Sequence, residues 1–143
     1  MGGDYAPEEV VKGTLAAAPE FPESTLILVG DEPAIKKIIG PNQPANVKII
    51  HSSQVIAMHE HPVDAIRQKP DSSLVKAAKL VAGKEADAFI SAGNTGAAVA
   101  GATILWGFLA GIKRPGIAIP LPTKKGVAYL IDAGANIYCH PIH

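Results

Sequence analysis

The chain has 143 residues, enough for one domain of ordinary size, and its 48% hydrophobic and 18% charged content allows a sizeable core and excludes a disordered tract. Only 5% of residues are aromatic, so that core must be built from Val, Ile, Leu and Ala. Lys plus Arg and Asp plus Glu both number 13, and the zero net charge argues against a nucleic-acid protein while leaving room for a local anion site.

Residues 8–18, EEVVKGTLAAA, read as a first helix between Pro7 and Pro19, with Glu8 and Glu9 at the positive end of its dipole. TLILVG (25–30) is a continuous apolar run ending in Gly, as buried parallel strands do. EPAIKKIIG (32–40) is a short helix stopped by Gly40 and Pro41, and VKIIHS (47–52) a second strand. The polar segment 54–70 holds His59, His61 and Pro62, and VDAIRQ forms one helical turn or two. Residues 71–86 form a helix capped by Asp71 or Ser72, with Leu74, Ala77, Ala78 and Val81 on one face. DAFISA (87–92) is expected as a third strand and residues 94–109 as a long helix. GIAIPLP (116–122) and VAYLIDA (127–133) are further strands joined by the basic turn TKKG. Strands alternating with helices predict a single α/β domain over residues 1–143, its sheet mostly parallel and covered by helices on both faces.

The lone cysteine, Cys139, can form no intrachain disulfide, which fits a reducing cytoplasm. MGGDYAPEEVV lacks the basic and apolar regions of a secretory signal, and the apolar stretch 97–112 is short and rich in Gly and Ala. A soluble, cytoplasmic protein is therefore expected. His59 and His61 lie two apart, and His140 and His143 lie three apart beside Cys139. None of these has the spacing of a zinc motif, so no metal is expected.

Four segments could carry chemistry. In ISAGNTGAAVAG (90–101) a strand enters a Gly-rich turn and then a helix, whose backbone N–H groups can hold an anion. Gly93 and Gly96 permit close approach, and Ser91, Asn94 and Thr95 add polar groups. The residues alone leave a plain strand–helix turn, capped by Asn94 or Thr95, equally open. IDAGAN (131–136) sets Asp132 and Asn136 at the C-terminal end of a strand, the edge where open α/β sheets bind ligands. Asp132 could instead cap the turn into Gly134. MGGDYAP (1–7) offers Gly3 and Asp4 ahead of a helix, or is a plain terminus. IRQKPDSS (66–73) brings Arg67 and Lys69 close to Ser72, either as an anion site or as a solvated loop.

Taken together and in chain order, these segments resemble the PlsX family of phosphate acyltransferases. MGGDYAPEEVVKG is similar to the family's first motif, AIRQKPDSSLVKAAKLV to its Arg-x-Lys-x-Asp-Ser-Ser segment, and ADAFISAGNTGAAVAGATILWG to its central Ser-Ala-Gly-Asn-Thr-Gly motif. GIKRPGIAIPLPTKKG and LIDAGANIYCHPIH resemble the strand pair and Asp-x-Gly-Ala-Asn segment that follow. The resemblance implies a fold similar to phosphotransacetylases and the isopropylmalate dehydrogenase group. It also implies transfer of a fatty acyl group from acyl carrier protein to inorganic phosphate, without a cofactor. The acyl phosphate would feed the membrane glycerol-phosphate acyltransferase of phospholipid synthesis. Family members are usually homodimers, and some associate peripherally with the membrane.

On this basis Asn94, Asp132 and Asn136 are expected to be catalytic. Gly3, Asp4, Arg67, Lys69, Ser72, Ser91, Gly93, Thr95 and Gly96 would bind phosphate or substrate. Gly3, Asn94, Gly96, Asp132 and Asn136 would share one cleft. Cys139 lacks a histidine placed by any motif to activate it as an acyl-carrying nucleophile. A phosphotransacetylase acting on acyl-coenzyme A, and a non-catalytic remnant that binds or oligomerises, are the alternatives. In the family a strand precedes the first motif and a second half follows the last. The resemblance therefore implies that residues 1–143 alone lack a strand of the sheet and are inactive and poorly folded, or self-associate.

Overall fold

In the computed structural model the described residues are 1–132, so Asn136, Cys139, His140 and His143 fall outside the description. The chain divides into two compact units, Met1–Leu105 and a second beginning at Trp106. In the first unit the order is α1 (Glu8–Glu20), β1 (Leu26–Gly30), α2 (Glu32–Ile39), β2 (Val47–His51), α3 (Pro62–Gln68), α4 (Ser73–Ala82) and α5 (Thr95–Trp106), whose last residue belongs to the second unit.

The architecture follows from two apolar periodicities. β1 and β2 pair in parallel, with Leu26 opposite Val47 and Leu28 opposite Ile49. Alternation sends these four side chains to one face of the sheet. There they meet Val11, Leu15 and Ala18 of α1 and Ile35, Ile38 and Ile39 of α2, whose spacings of three and four residues define one helical stripe each. α4 contacts β1. Asn46, just before β2, ties down the end of α1. Its amide donates to the carbonyls of Ala18 at 2.9 Å, Phe21 at 3.2 Å and Ser24 at 3.2 Å. α1 runs through Pro19 rather than stopping before it. The Phe21 N–H bonds Ala17 O at 3.0 Å, and the helix ends at Glu20, two residues beyond the expected end at 18.

A second apolar cluster joins Ile56, Ala65 and Ile66 to Leu74 and Val75 of α4 and Ala97 of α5. Within α4 the buried face is Leu74, Val75 and Ala78, while Ala77 and Val81 are half-buried. Residues 87–92, expected as a third strand, make no ladder, and Ile90 is 97% exposed. An extended apolar run becomes a strand only where a neighbouring edge supplies main-chain partners, and the sheet of this unit consists of β1 and β2.

In the second unit, β3 (Ala118–Thr123) and β4 (Gly126–Ile131) form an antiparallel hairpin across Lys124 and Lys125. The strands fall where the sequence places them, and their antiparallel pairing follows from the connection. A two-residue turn reverses the chain, whereas parallel strands need a crossover. Together the parallel pair, its helices and the hairpin make the protein α/β. Among the described residues no helix is long and apolar enough to cross a membrane.

Candidate functional site

Two glycine turns meet in the first unit. Gly2 has φ +98, a backbone region that side chains rarely adopt, and a Cβ there would stand 2.7 Å from Ile56 O. A Cβ on Gly3 would stand 3.1 Å from Ala92 O, and one on Gly93 would stand 3.6 Å from the carbonyl carbon of Gly2. The first motif and the Ser-Ala-Gly-Asn-Thr-Gly turn are thus packed backbone against backbone, 90 residues apart in sequence. Beside the contact lies an open depression of about 200 Å³ lined by Gly3, Asp4, Tyr5, Ala6, Glu9, Val10 and Ala92.

The turn ends in α5, whose start is built by Asn94. This residue is only 6% exposed. Its Oδ1 accepts the N–H of Ala97 at 2.9 Å, an N-cap bond. Its amide donates to three carbonyls of one loop: Ala57 at 3.1 Å, Met58 at 3.3 Å and Glu60 at 3.2 Å. Both ends of the Asn94 side chain are therefore engaged within the protein. In the first turn of a helix the leading N–H groups have no intrahelical acceptor. Asn94 takes that of Ala97, which leaves those of Thr95 and Gly96 as the donors of an anion cradle; both residues are exposed. Ser91 Oγ accepts the Gly93 N–H at 3.2 Å, which fixes the turn. A Cβ on Gly96 would stand 2.7 Å from Pro62 Cγ, so α5 begins against the start of α3.

The Arg-x-Lys-x-Asp-Ser-Ser segment is a half-buried polar hub bonded to the surrounding loops. Lys69 Nζ donates to Val55 O at 2.8 Å and to Glu60 Oε2 at 2.6 Å. Glu60 also accepts the Ala57 N–H at 2.6 Å, and these two donors hold its carboxyl below the usual carboxylate range. Asp71 pairs with Lys76 and accepts the hydroxyl of Ser53 at 2.6 Å and its N–H at 2.8 Å. Lys76 first, then Ser53, push its pKa far down. Ser72, fully buried, caps α4 by accepting the Val75 N–H at 3.4 Å. Of the candidates in this segment, Arg67 alone is exposed, and among the described residues it forms no ion pair.

Gly3, Asp4, Ser91, Gly93, Asn94, Thr95 and Gly96 therefore gather around the two turns, while Lys69 and Ser72 are occupied by internal partners. Asp132 belongs to the second unit, where its N–H bonds Ile117 O at 2.7 Å, and Asn136 lies outside the described residues. Sequence reading passed over Glu60, Ser53 and Lys76. The available signal was the run of charged and hydroxyl residues flanking a predicted helix start, where such groups serve the backbone as often as a ligand. Among the described residues no group of three or more His, Cys, Asp or Glu could hold a metal ion.

The fold and its turns define an α/β protein whose glycine-rich backbone is arranged around an exposed helix start. A family model described as "Fatty acid synthesis protein" matches residues 1–143, and the chain belongs to that family, the PlsX family. It is similar to proteins named phosphate acyltransferase from Pelotomaculum thermopropionicum, 51% identical over 100% of this chain and 42% of the relative. Those of Caldanaerobacter subterraneus, 46% identical over 97% and 41%, and of Desulforamulus reducens, 45% identical over 100% and 43%, give the same match. The chain spans about two-fifths of the length of these curated relatives, 41–43%.

Proposed function

We propose that the chain supplies the phosphate side of an acyltransferase that moves a fatty acyl group from acyl carrier protein to inorganic phosphate. The observation that carries this reading is the backbone contact of Gly3 with Ala92 beside the start of α5. Two glycine turns with no bulky side chain between them let a phosphate approach the main chain closely. The relatives named phosphate acyltransferase, which match over the same residues, support the same class of reaction.

The chemistry follows from the reactants. A phosphate oxygen attacks the thioester carbonyl carbon, negative charge builds on the carbonyl oxygen, the C–S bond breaks, and the thiolate leaves to be protonated. The products are an acyl phosphate and a free thiol. Thiolate is a good leaving group, so the demands on the protein are to hold the phosphate and to stabilise the oxyanion. The N–H groups of Thr95 and Gly96, the Thr95 hydroxyl and the Arg67 guanidinium suit the first task. Asn94 acts by building the cradle, its own polar atoms being engaged. A homodimer, acting in the cytoplasm or at the membrane surface and passing its product to the membrane glycerol-phosphate acyltransferase, completes the reading.

The test offers the intact protein acyl carrier protein and coenzyme A thioesters in parallel, with and without phosphate, and traps acyl phosphate with hydroxylamine. Phosphate-dependent hydroxamate from the carrier-protein thioester is expected. Product from the coenzyme A thioester alone would reassign the donor, and none from either would overturn the acyltransferase reading.

A further inference from the structure

Lys69 is the cation that sequence alone offers most readily as a phosphate ligand, and its surroundings argue otherwise. Two of the three donors of its ammonium are spent, on Val55 O at 2.8 Å and Glu60 Oε2 at 2.6 Å. A phosphate brought to the same nitrogen would also meet the Glu60 carboxylate. What the pair does hold is the loop 55–60. Lys69 fixes Val55 O, and Glu60 fixes the Ala57 N–H. Between those two points Ile56 buries its side chain in the second apolar cluster and turns its carbonyl against Gly2. The carbonyls of Ala57, Met58 and Glu60 then receive the Asn94 amide. The loop therefore touches both glycine turns, one through Ile56 and one through Asn94.

We infer that Lys69 and Glu60 are a positioning pair: they clamp the loop 55–60 as a strap that sets Gly2–Gly3 and the start of α5 in register for phosphate. This inference rests on the proposed phosphate site. Neither residue touches the substrate. Loss of either loosens the strap, and a shift of about 1 Å in the cradle weakens its hold on phosphate, so the effect falls mainly on KM.

The experiment compares Lys69→Met, Glu60→Gln, Glu60→Ala and the double variant Lys69→Met/Glu60→Ala in the intact protein, reading KM for phosphate, kcat, and amide hydrogen exchange at three bonded amides: Ala57, Ala6 (to Gly3 O, 3.1 Å) and Ala97 (to Asn94 Oδ1, 2.9 Å). Lys69→Met and Glu60→Ala should each raise KM for phosphate by about tenfold or more with a smaller fall in kcat, and the double variant should be no worse than the more affected single one. Glu60→Gln keeps the shape of the side chain and should raise KM in the same direction by less. Exchange should quicken at Ala57 and at Ala6 and Ala97 together. If Glu60→Gln lowers KM for phosphate while Lys69→Met raises it, Lys69 is a ligand freed by loss of its partner, and the inference is wrong. Unchanged exchange at Ala6 and Ala97 would also overturn it. Exchange needs no turnover, so a wild-type protein that makes no acyl phosphate removes the function reading while the strap is still judged by the amides.

Discussion

The segments 67–76 and 91–96 look alike in sequence: short, polar, each leading into a helix, each a candidate anion site. Folded, they differ in where their polarity is spent. In the first, Lys69, Asp71, Ser72 and Lys76 all find partners in the protein, and of its charged residues Arg67 is left outward. In the second, the side chains of Ser91 and Asn94 arrange the backbone so that the N–H groups of Thr95 and Gly96 stay open. Side-chain charge marks the scaffold here, and the unspent donors belong to the main chain. That is the economical design for a multiply charged anion. Backbone amides carry no net charge to desolvate and no counter-ion to lose.

Asn94→Ala should break this contrast most severely. It leaves carbonyls at 57, 58 and 60 and the Ala97 N–H without their partner. A loss of about 3 kcal/mol is expected in urea unfolding, with acyl phosphate formation down by ~10²-fold as the cradle is displaced. Gly2→Ala should come next. The new Cβ would meet a backbone carbonyl at 2.7 Å from a residue at φ +98, for a cost of about 2 kcal/mol together with a raised KM for phosphate. A variant of unchanged stability and KM would show that the two turns need not touch.

Asp71 tests the scaffold half through pH. Its pKa is depressed in the folded protein by Lys76 and Ser53, so its stabilising contribution is complete above the unfolded carboxyl value and is lost as pH falls. Glu60 adds to the same trend. The urea midpoint should therefore drop as pH is lowered below about 4, and Asp71→Asn should flatten that drop while lowering the midpoint at neutral pH. An equally steep acid limb in the variant would show that Asp71 is not the group responsible. The smallest change in stability is expected for Arg67→Ala, within about 0.5 kcal/mol, measured beside a higher KM for phosphate. Unchanged KM would remove Arg67 from the site.

Much of the fold was legible because it rests on local periodicity. The apolar run Leu26–Gly30, the strand Val47–His51, the stripe Ile35, Ile38 and Ile39, and the caps of α2 and α4 each need only a few neighbouring residues. The failure at 87–92 is of another kind. A strand depends on a distant edge, and DAFISA carries the right residues without one. The site divides along the same line. The helix start after Asn94 and the importance of the two glycine turns were readable, whereas the contact of Gly3 with Ala92 is a long-range fact. The roles of Lys69 and Ser72 depended on partners such as Val55 O and Val75 N, main-chain atoms that exist at every position and leave no mark in the sequence.

The hairpin of the second unit has one further consequence. Asp132 N bonds Ile117 O, so 117 and 132 exchange main-chain bonds, and by alternation so do 119 with 130 and 121 with 128. The residues between them, Ala118, Pro120 and Pro122, therefore aim their main-chain nitrogens away from β4. Only Ala118 of these three carries a hydrogen to offer. The outer side of β3 is thus nearly mute as a template for strand addition, whereas the outer side of β4, with no proline along Gly126–Ile131, keeps its full set of donors. Among the described residues, β4 is therefore the edge of this small sheet better able to take a further strand.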